Sequence, residues 1–179
     1  MARRFYSRAN LRKESHCEVI NLRINLSDID CIFYDFDGVM TDNRVLVDQN
    51  GLEYVYVNRS DGYAIAKLKE KGILQIIVST EENPVVERRA DKLKIPVIHG
   101  VNNKGEIILR YCSDNNIKPQ RTLFMGNDLN DISAFNVVGF KAAPNDAEPE
   151  ILQISDWISE RKGGCGAVRD LYRMLLSNN

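Results

Sequence analysis

Asp35-Phe36-Asp37-Gly38 places two carboxylates two residues apart with a glycine behind them. If the chain turns there, both side chains reach one ligand. Their repulsion is then relieved best by a hard divalent cation that takes oxygen ligands. Three further polar sets follow: Ser79-Thr80, then Lys104, then Gly126-Asn127-Asp128-Leu129-Asn130-Asp131. A hydroxyl and a lysine suit phosphoryl oxygens, and a second cluster of acids and amides suits a cation. Together the four sets have the make-up of a phosphate-plus-Mg²⁺ site. Each one alone has a plainer reading: Asp-x-Asp-Gly is a common turn, and Lys104 is a solvated charge at a helix start.

The elements needed to hold these residues are legible around them. Cys31–Tyr34, Leu74–Val78, residues 96–98 and Thr122–Met125 are short apolar runs of the kind that form buried parallel strands, and residues 137–140 read as a fifth. Helix-period segments fall at 61–71, 84–93, 104–115, 128–135 and 168–176. The expected fold is α/β, a doubly wound, Rossmann-like parallel sheet over residues 28–179. Ligands of such sheets sit at the carboxyl ends of the strands, where the four polar sets converge. One segment breaks the alternation. Residues 44–47, the turn 48–51 and Glu53–Val57 read as a β-hairpin inserted after the first strand. No cap domain fits in the remaining length.

Composition narrows the class. The 179 residues are 44% hydrophobic and 27% charged, as in a globular protein and unlike a disordered one. Twenty-four Lys and Arg against 25 Asp and Glu argue against a nucleic-acid binder. No apolar run exceeds four residues, which argues against a transmembrane helix and a membrane partner. Four scattered cysteines without CxxC spacing fit a cytoplasmic setting better than a disulfide scaffold. Residues 1–27 differ, with Arg3, Arg4, Arg8, Arg12 and Lys13 and no acid before residue 14, and read as a basic arm or linker. His16 and His99 lack a partner at a telling spacing.

DFDGVMTD, Ser79, Lys104 and GNDLND resemble, in order, the four motifs of the haloacid dehalogenase-like (HAD) phosphatases. The likeness is closer to the capless 3-deoxy-D-manno-octulosonate (KDO) 8-phosphate phosphatase branch, which includes the C-terminal module of CMP-sialic acid synthetases. Arg59-Ser60-Asp61-Gly62 and Lys162-Gly163-Gly164-Cys165-Gly166-Ala167-Val168-Arg169 match that branch as well. The resemblance spans residue 30 to about residue 176. It implies Asp35 as nucleophile, Asp37 as general acid and base, and Ser79 and Lys104 on the phosphoryl oxygens. It further implies Mg²⁺ held by Asp35, by the Asp37 carbonyl and at the Asn127-Asp128 pair, and substrate contacts from Thr80, Glu81, Arg59, Asp61 and Lys104. Thr41 and Asp42 would shape the turn.

Two departures bear on the substrate and the metal. Asn127 stands where the family usually has a metal-binding aspartate, so the ligand there would carry no charge unless Asp128 or Asp131 helps. Thr80-Glu81 replaces the Gly-Arg of the octulosonate enzymes. An acid there repels a substrate carboxylate, and the nonulosonate 9-phosphate branch also has Glu at this place. The hairpin is apolar on both faces and needs cover, so the resemblance implies a homotetramer. Asn127 and the basic arm favour a second reading: a weakly active or non-catalytic oligomerisation module partnered with a cytidylyltransferase. A phospho-acceptor signalling domain fits poorly, because its acceptor aspartate lies on the third strand.

Overall fold

The structure is a computed structural model that describes residues 24–177. Its strands are β1 (Cys31–Tyr34), β2 (Thr41–Val47), β3 (Glu53–Val57), β4 (Leu74–Val78), β5 (Val97–Ile98), β6 (Thr122–Met125), β7 (Phe140–Ala143) and β8 (Trp157–Ile158). Its helices are α1 (Arg59–Glu70), α2 (Val85–Leu93), α3 (Lys104–Asp114), α4 (Ile132–Phe135), α5 (Pro149–Ile154) and α6 (Ala167–Ser177). Six strands form one parallel sheet in the order β5-β4-β1-β6-β7-β8, and β2 and β3 pair antiparallel as a separate ribbon.

β1 is apolar at every position and buried at every position, as a central strand covered on both faces must be. Ile32 and Tyr34 join the layer of α1, α2 and α6; Cys31 and Phe33 join the layer of α3, α4 and α5. The strand order reverses direction at β1, between β4 and β6. The crevice beyond the carboxyl ends of β1 and β6 is therefore the topological switch point, where such sheets bind ligands. The hairpin turn is built by Asp48, whose Oδ1 accepts from the Asn50 and Leu52 amides at 2.8 and 2.9 Å, with Gly51 at φ 80°.

Three expectations need correction. The folded unit reaches back past residue 28, because Ile24 and Leu26 are packed in the core; the charged part of the predicted arm, residues 1–13, lies outside the described residues. The strand placed at 137–140 starts at Phe140 and runs to Ala143. Val137 and Val138 pack on the α3–α5 side, and the Gly139 amide donates to the Pro119 and Thr122 carbonyls, which ties that segment to the start of β6 instead. α5 and β8 had no helix or strand reading in the sequence, being six and two residues long. Among the described residues, no helix is long and apolar enough to cross a membrane.

Candidate active site

The residue after β1 is Asp35, and its amide donates to the Met125 carbonyl at 2.9 Å, which fixes it beside the end of β6. Its Oδ1 accepts from the Phe36 amide at 2.7 Å and lies 2.7 Å from Lys104 Nζ. Lys104 also reaches Asp131 Oδ1 at 2.6 Å and is completely buried. A lysine opening a helix is opposed by the helix dipole, and here two carboxylates offset both that and its desolvation. Gly105 makes the approach feasible, since a Cβ there would collide with the Ser133 carbonyl.

Burial, reinforced by the nearby Asp131 charge, pushes the Asp35 carboxyl up to about 8, with Lys104 pulling the other way. Burial on its own would drag Lys104 down, but Asp35 and Asp131 outweigh it and hold its pKa above the usual value. The ammonium therefore stays charged between its two partners.

Asp131 Oδ2 accepts from the amides of Asn127 and Asp128 at 2.8 and 3.2 Å, closing the fourth polar set into a tight turn. Gly126 leaves the space for it: a Cβ there would stand 2.5 Å from Asp131 Oδ2. Asp128 Oδ1 instead accepts from the Leu129 amide and caps the single 3₁₀ turn that follows. Asn127 is buried with its Oδ1 lacking any hydrogen-bond partner, and its amide lies against Gly38, whose φ of 79° only glycine adopts readily.

Asp37 sits on the far side of that turn and accepts from the Thr41 hydroxyl at 3.2 Å. Burial raises its pKa, the Thr41 hydrogen bond working against the rise. Ser79 is buried at the end of β4, and its Oγ accepts from the Glu81 amide at 3.1 Å. Thr80 Oγ1 accepts from Asn130 at 3.4 Å, joining the second and fourth sets. Glu81 Oε1 accepts from the Asn83 amide, and Glu81, with Asp37, Arg44 and Glu53, lines a cavity of about 330 Å³ under the hairpin.

Not every expected contact is present within one chain. Asp61 is buried, but its Oδ1 accepts from the Arg169 amide at the start of α6, and the charges it feels are those of Arg89 and Arg161. Its burial pushes its carboxyl up to about 6, and its Oδ2 has no hydrogen-bond partner. Arg59 is exposed and lines a different cavity of about 590 Å³ with Arg89, Lys92 and Lys94. Asp131 has a larger part in the site than its place in the sequence suggests. The sequence offers four acids and amides within five residues, and only the glycine-permitted fold of the turn selects Asp131 for Lys104.

Among the described residues no three His, Cys, Asp or Glu side chains cluster as a ready-made metal site. The donors at hand are the Asp35 carboxylate, backbone carbonyls and the orphaned Asn127 amide oxygen. That oxygen set suits Mg²⁺, which keeps waters and takes few protein ligands.

Residues 88–168 match the family of haloacid dehalogenase-like hydrolases. The 3-deoxy-D-manno-octulosonate 8-phosphate phosphatase KdsC of Escherichia coli K12 is 30% identical over 150 residues, covering 83% of this chain and 80% of the relative. The N-acylneuraminate cytidylyltransferase of Oncorhynchus mykiss is 29% identical over 143 residues, 78% of this chain. This chain spans only 33% of that fish protein. Among solved structures, a HAD family hydrolase from Streptomyces avermitilis shares 41% identity at a TM-score of 0.86, covering 88% of this chain and 90% of its own. The Moraxella catarrhalis octulosonate 8-phosphate phosphatase, in complex with magnesium, phosphate and KDO, superimposes with a TM-score of 0.83 at 26% identity, covering 92% and 94%. The cobalt-bound form of the Haemophilus influenzae enzyme does so with 0.81 at 27%, covering 86% and 90%.

Proposed function

The chain belongs to the haloacid dehalogenase-like hydrolases, and from that membership we propose that it is a Mg²⁺-dependent phosphatase of a sugar-acid phosphate monoester. One observation carries the reading. A fully buried lysine is shared by Asp35 and Asp131, and beside that turn a buried amide oxygen, Asn127 Oδ1, has no partner.

In this mechanism Asp35 attacks phosphorus, giving an aspartyl-phosphate and releasing the sugar alkoxide. Asp37, its pKa raised by burial, holds the proton that the leaving alkoxide takes, then accepts one from the attacking water. Ser79 and Lys104 hold the phosphoryl oxygens, and the ammonium offsets the charge that builds on them. Asp35, the Asp37 carbonyl and Asn127 would hold Mg²⁺, which supplies charge neutralisation between the carboxylate and the phosphate. Asp128 is a weaker candidate ligand, being committed to its own turn.

The cavity beside Asp37 supports a narrower substrate class. Glu81 and Glu53 face it beside Arg44, whose charge is paired with Asp42, so a substrate carboxylate directed there meets like charge, while hydroxyl-rich chains find acceptors. Both candidate acids carry a carboxylate, so the preference rests on Glu81 itself, which stands where the nonulosonate 9-phosphate branch also has Glu and favours that class, with Thr80 and Glu81 as contact residues. Arg59 would reach substrate only from a neighbouring subunit. The hairpin supports a homotetramer: Leu46, Tyr54 and Tyr56 are 59, 50 and 69% exposed on one ribbon.

Phosphate release should be measured with Mg²⁺ or EDTA on octulosonate 8-phosphate, nonulosonate 9-phosphates and hexose phosphates, with Asp35→Asn as control. Metal-dependent turnover that vanishes in Asp35→Asn and is best on a nine-carbon acid is expected. Preference for the eight-carbon acid keeps the enzyme and removes the Glu81 argument. No turnover from folded protein would favour the second reading, an oligomerisation module of a cytidylyltransferase, for which the uncharged Asn127 is the specific observation.

A further inference from the structure

The glycine-rich segment 162–166 before α6 makes no contact with phosphate or metal in the mechanism above, yet it is built directly against the turn that carries Asp37. A Cβ on Gly163 would fall inside the Gly38 carbonyl and stand 3.0 Å from the Thr41 carbonyl oxygen. A Cβ on Gly164 would collide with the Asp42 amide, and Gly164 sits at φ 63°. The Gly164 amide donates to the Val39 carbonyl at 3.0 Å. Two backbones are thus in contact with no side chain between them.

The outer side of this segment is held as well. The Gly163 amide donates to Asp146 Oδ1 at 2.9 Å, and the Asn145 amide donates to the Arg161 carbonyl at 3.1 Å. Asp146 belongs to the connection after β7, and two residues on the Glu148 amide donates to the Asn127 carbonyl at 2.9 Å. One short connection therefore grips both the glycine segment and the Asn127 turn, while the glycine segment backs the Asp37 turn.

We infer that Gly163, Gly164 and Asp146 are positioning residues that set the separation between the Asp37 turn and the Asn127 turn. The inference rests on the phosphatase reading for its kinetic consequence, and on the backbone contacts for its geometry. Displacement of a reacting group by about 1 Å can cost about a hundredfold in rate. Any side chain at 163 requires a shift, because the atoms it meets are backbone.

The test uses the full chain with Gly163→Ala, Asp146→Ala, Asp146→Asn and, as a control for mere destabilisation, Leu175→Ala in α6. Turnover, Mg²⁺ affinity by calorimetry without substrate, and melting temperature are read for each. Gly163→Ala is expected to lower kcat by about a hundredfold and to weaken Mg²⁺ binding, with KM changed by less than about threefold. Asp146→Ala should lower kcat about tenfold, and Asp146→Asn, which keeps the acceptor for the Gly163 amide, should restore it. Wild-type kcat and Mg²⁺ affinity in both Gly163→Ala and Asp146→Ala would overturn the inference. So would an equal kcat loss in Leu175→Ala at a matched drop in melting temperature, or failure of Asp146→Asn to restore what Asp146→Ala loses. If the wild type turns over no ester, the phosphatase reading fails and the calorimetric arm decides alone. Weaker Mg²⁺ binding in Gly163→Ala, set against an unchanged Leu175→Ala, then supports the positioning role, and unchanged binding overturns it. Should Gly163→Ala not fold, the Asp146 pair carries the same comparison.

Discussion

At the scale of single residues, the site is an exercise in burying charge. Lys104 compensates two buried carboxylates, so Lys104→Met should cost about 3–5 kcal/mol by leaving them unpaired. The loss should be larger at pH 8 than at pH 5, where Asp35, its carboxyl pushed up to about 8, holds its proton; urea unfolding at both pH values checks it. Equal stability at pH 8 would mean the triad contributes nothing net. Asp61 behaves oppositely to an ordinary ion-paired acid. Its folded carboxyl holds its proton up to about 6, against 3.8 for the free group. The associated stability is complete below about pH 4 and is lost as pH climbs through 6, amounting to about 3 kcal/mol. Asp61→Asn keeps an acceptor for the Arg169 amide and should be more stable than wild type at pH 8, with no gain at pH 4. Thermal melts at the two pH values decide it, and a less stable variant at pH 8 would show that Arg89 and Arg161 fully compensate the charge. The placement of Asp35, Ser79, Lys104 and Asn127 was legible because each polar set follows an apolar run that reads as a strand. Asp131 and Asp61 were not, because which of several acids folds inward is decided by what glycine or helix end stands opposite.

At the scale of elements, the central strands were easy to read and the edges were not. β1, β4 and β6 announce themselves as apolar runs because both faces are covered. β8 is a two-residue edge and α5 a helix of six, too short to carry a period. The segment 137–140 misled because two valines followed by glycine look like a strand start, while the backbone there is committed to the connection into β6. The hairpin was legible from its alternation and turn, and its structure sharpens what it needs. Val55 and Val57 rest against the core of their own subunit, whereas Leu46 and Tyr54 pair on the ribbon with half their surface or more exposed. Burying such residues contributes about 1.5–3 kcal/mol each. Leu46→Arg with Tyr56→Glu should therefore lower the mass seen in sedimentation velocity while circular dichroism stays unchanged. An assembly unaffected by that pair, or a wild type that sediments as a monomer at micromolar concentration, removes the hairpin from the interface.

At the scale of the whole molecule, doubly wound topology explains why residues from 35, 79, 104 and 127 meet at all. Each follows a strand of the one sheet, and the reversal of strand order at β1 opens the crevice that receives them. A cation bound between the Asp37 and Asn127 turns would tie two halves of the sheet, so Mg²⁺ at about a hundred times its dissociation constant should stabilise the fold by about 2.7 kcal/mol. The melting temperature should rise with Mg²⁺, fall back with EDTA and lose most of its response in Asn127→Ala. A response that survives that substitution would place the cation elsewhere. The buried triad also has a consequence in time. Its members stand at 35, 104 and 131 along the chain, and β1 finds its partners only after residues near 78 and 125 have been made. During synthesis from the amino end, Asp35 emerges early and waits without its counter-charge or the backing of its turn. Contacts so distant in sequence close late, which predicts slow, cooperative acquisition of the site and a nascent chain that is chemically silent until nearly all of it is available to fold.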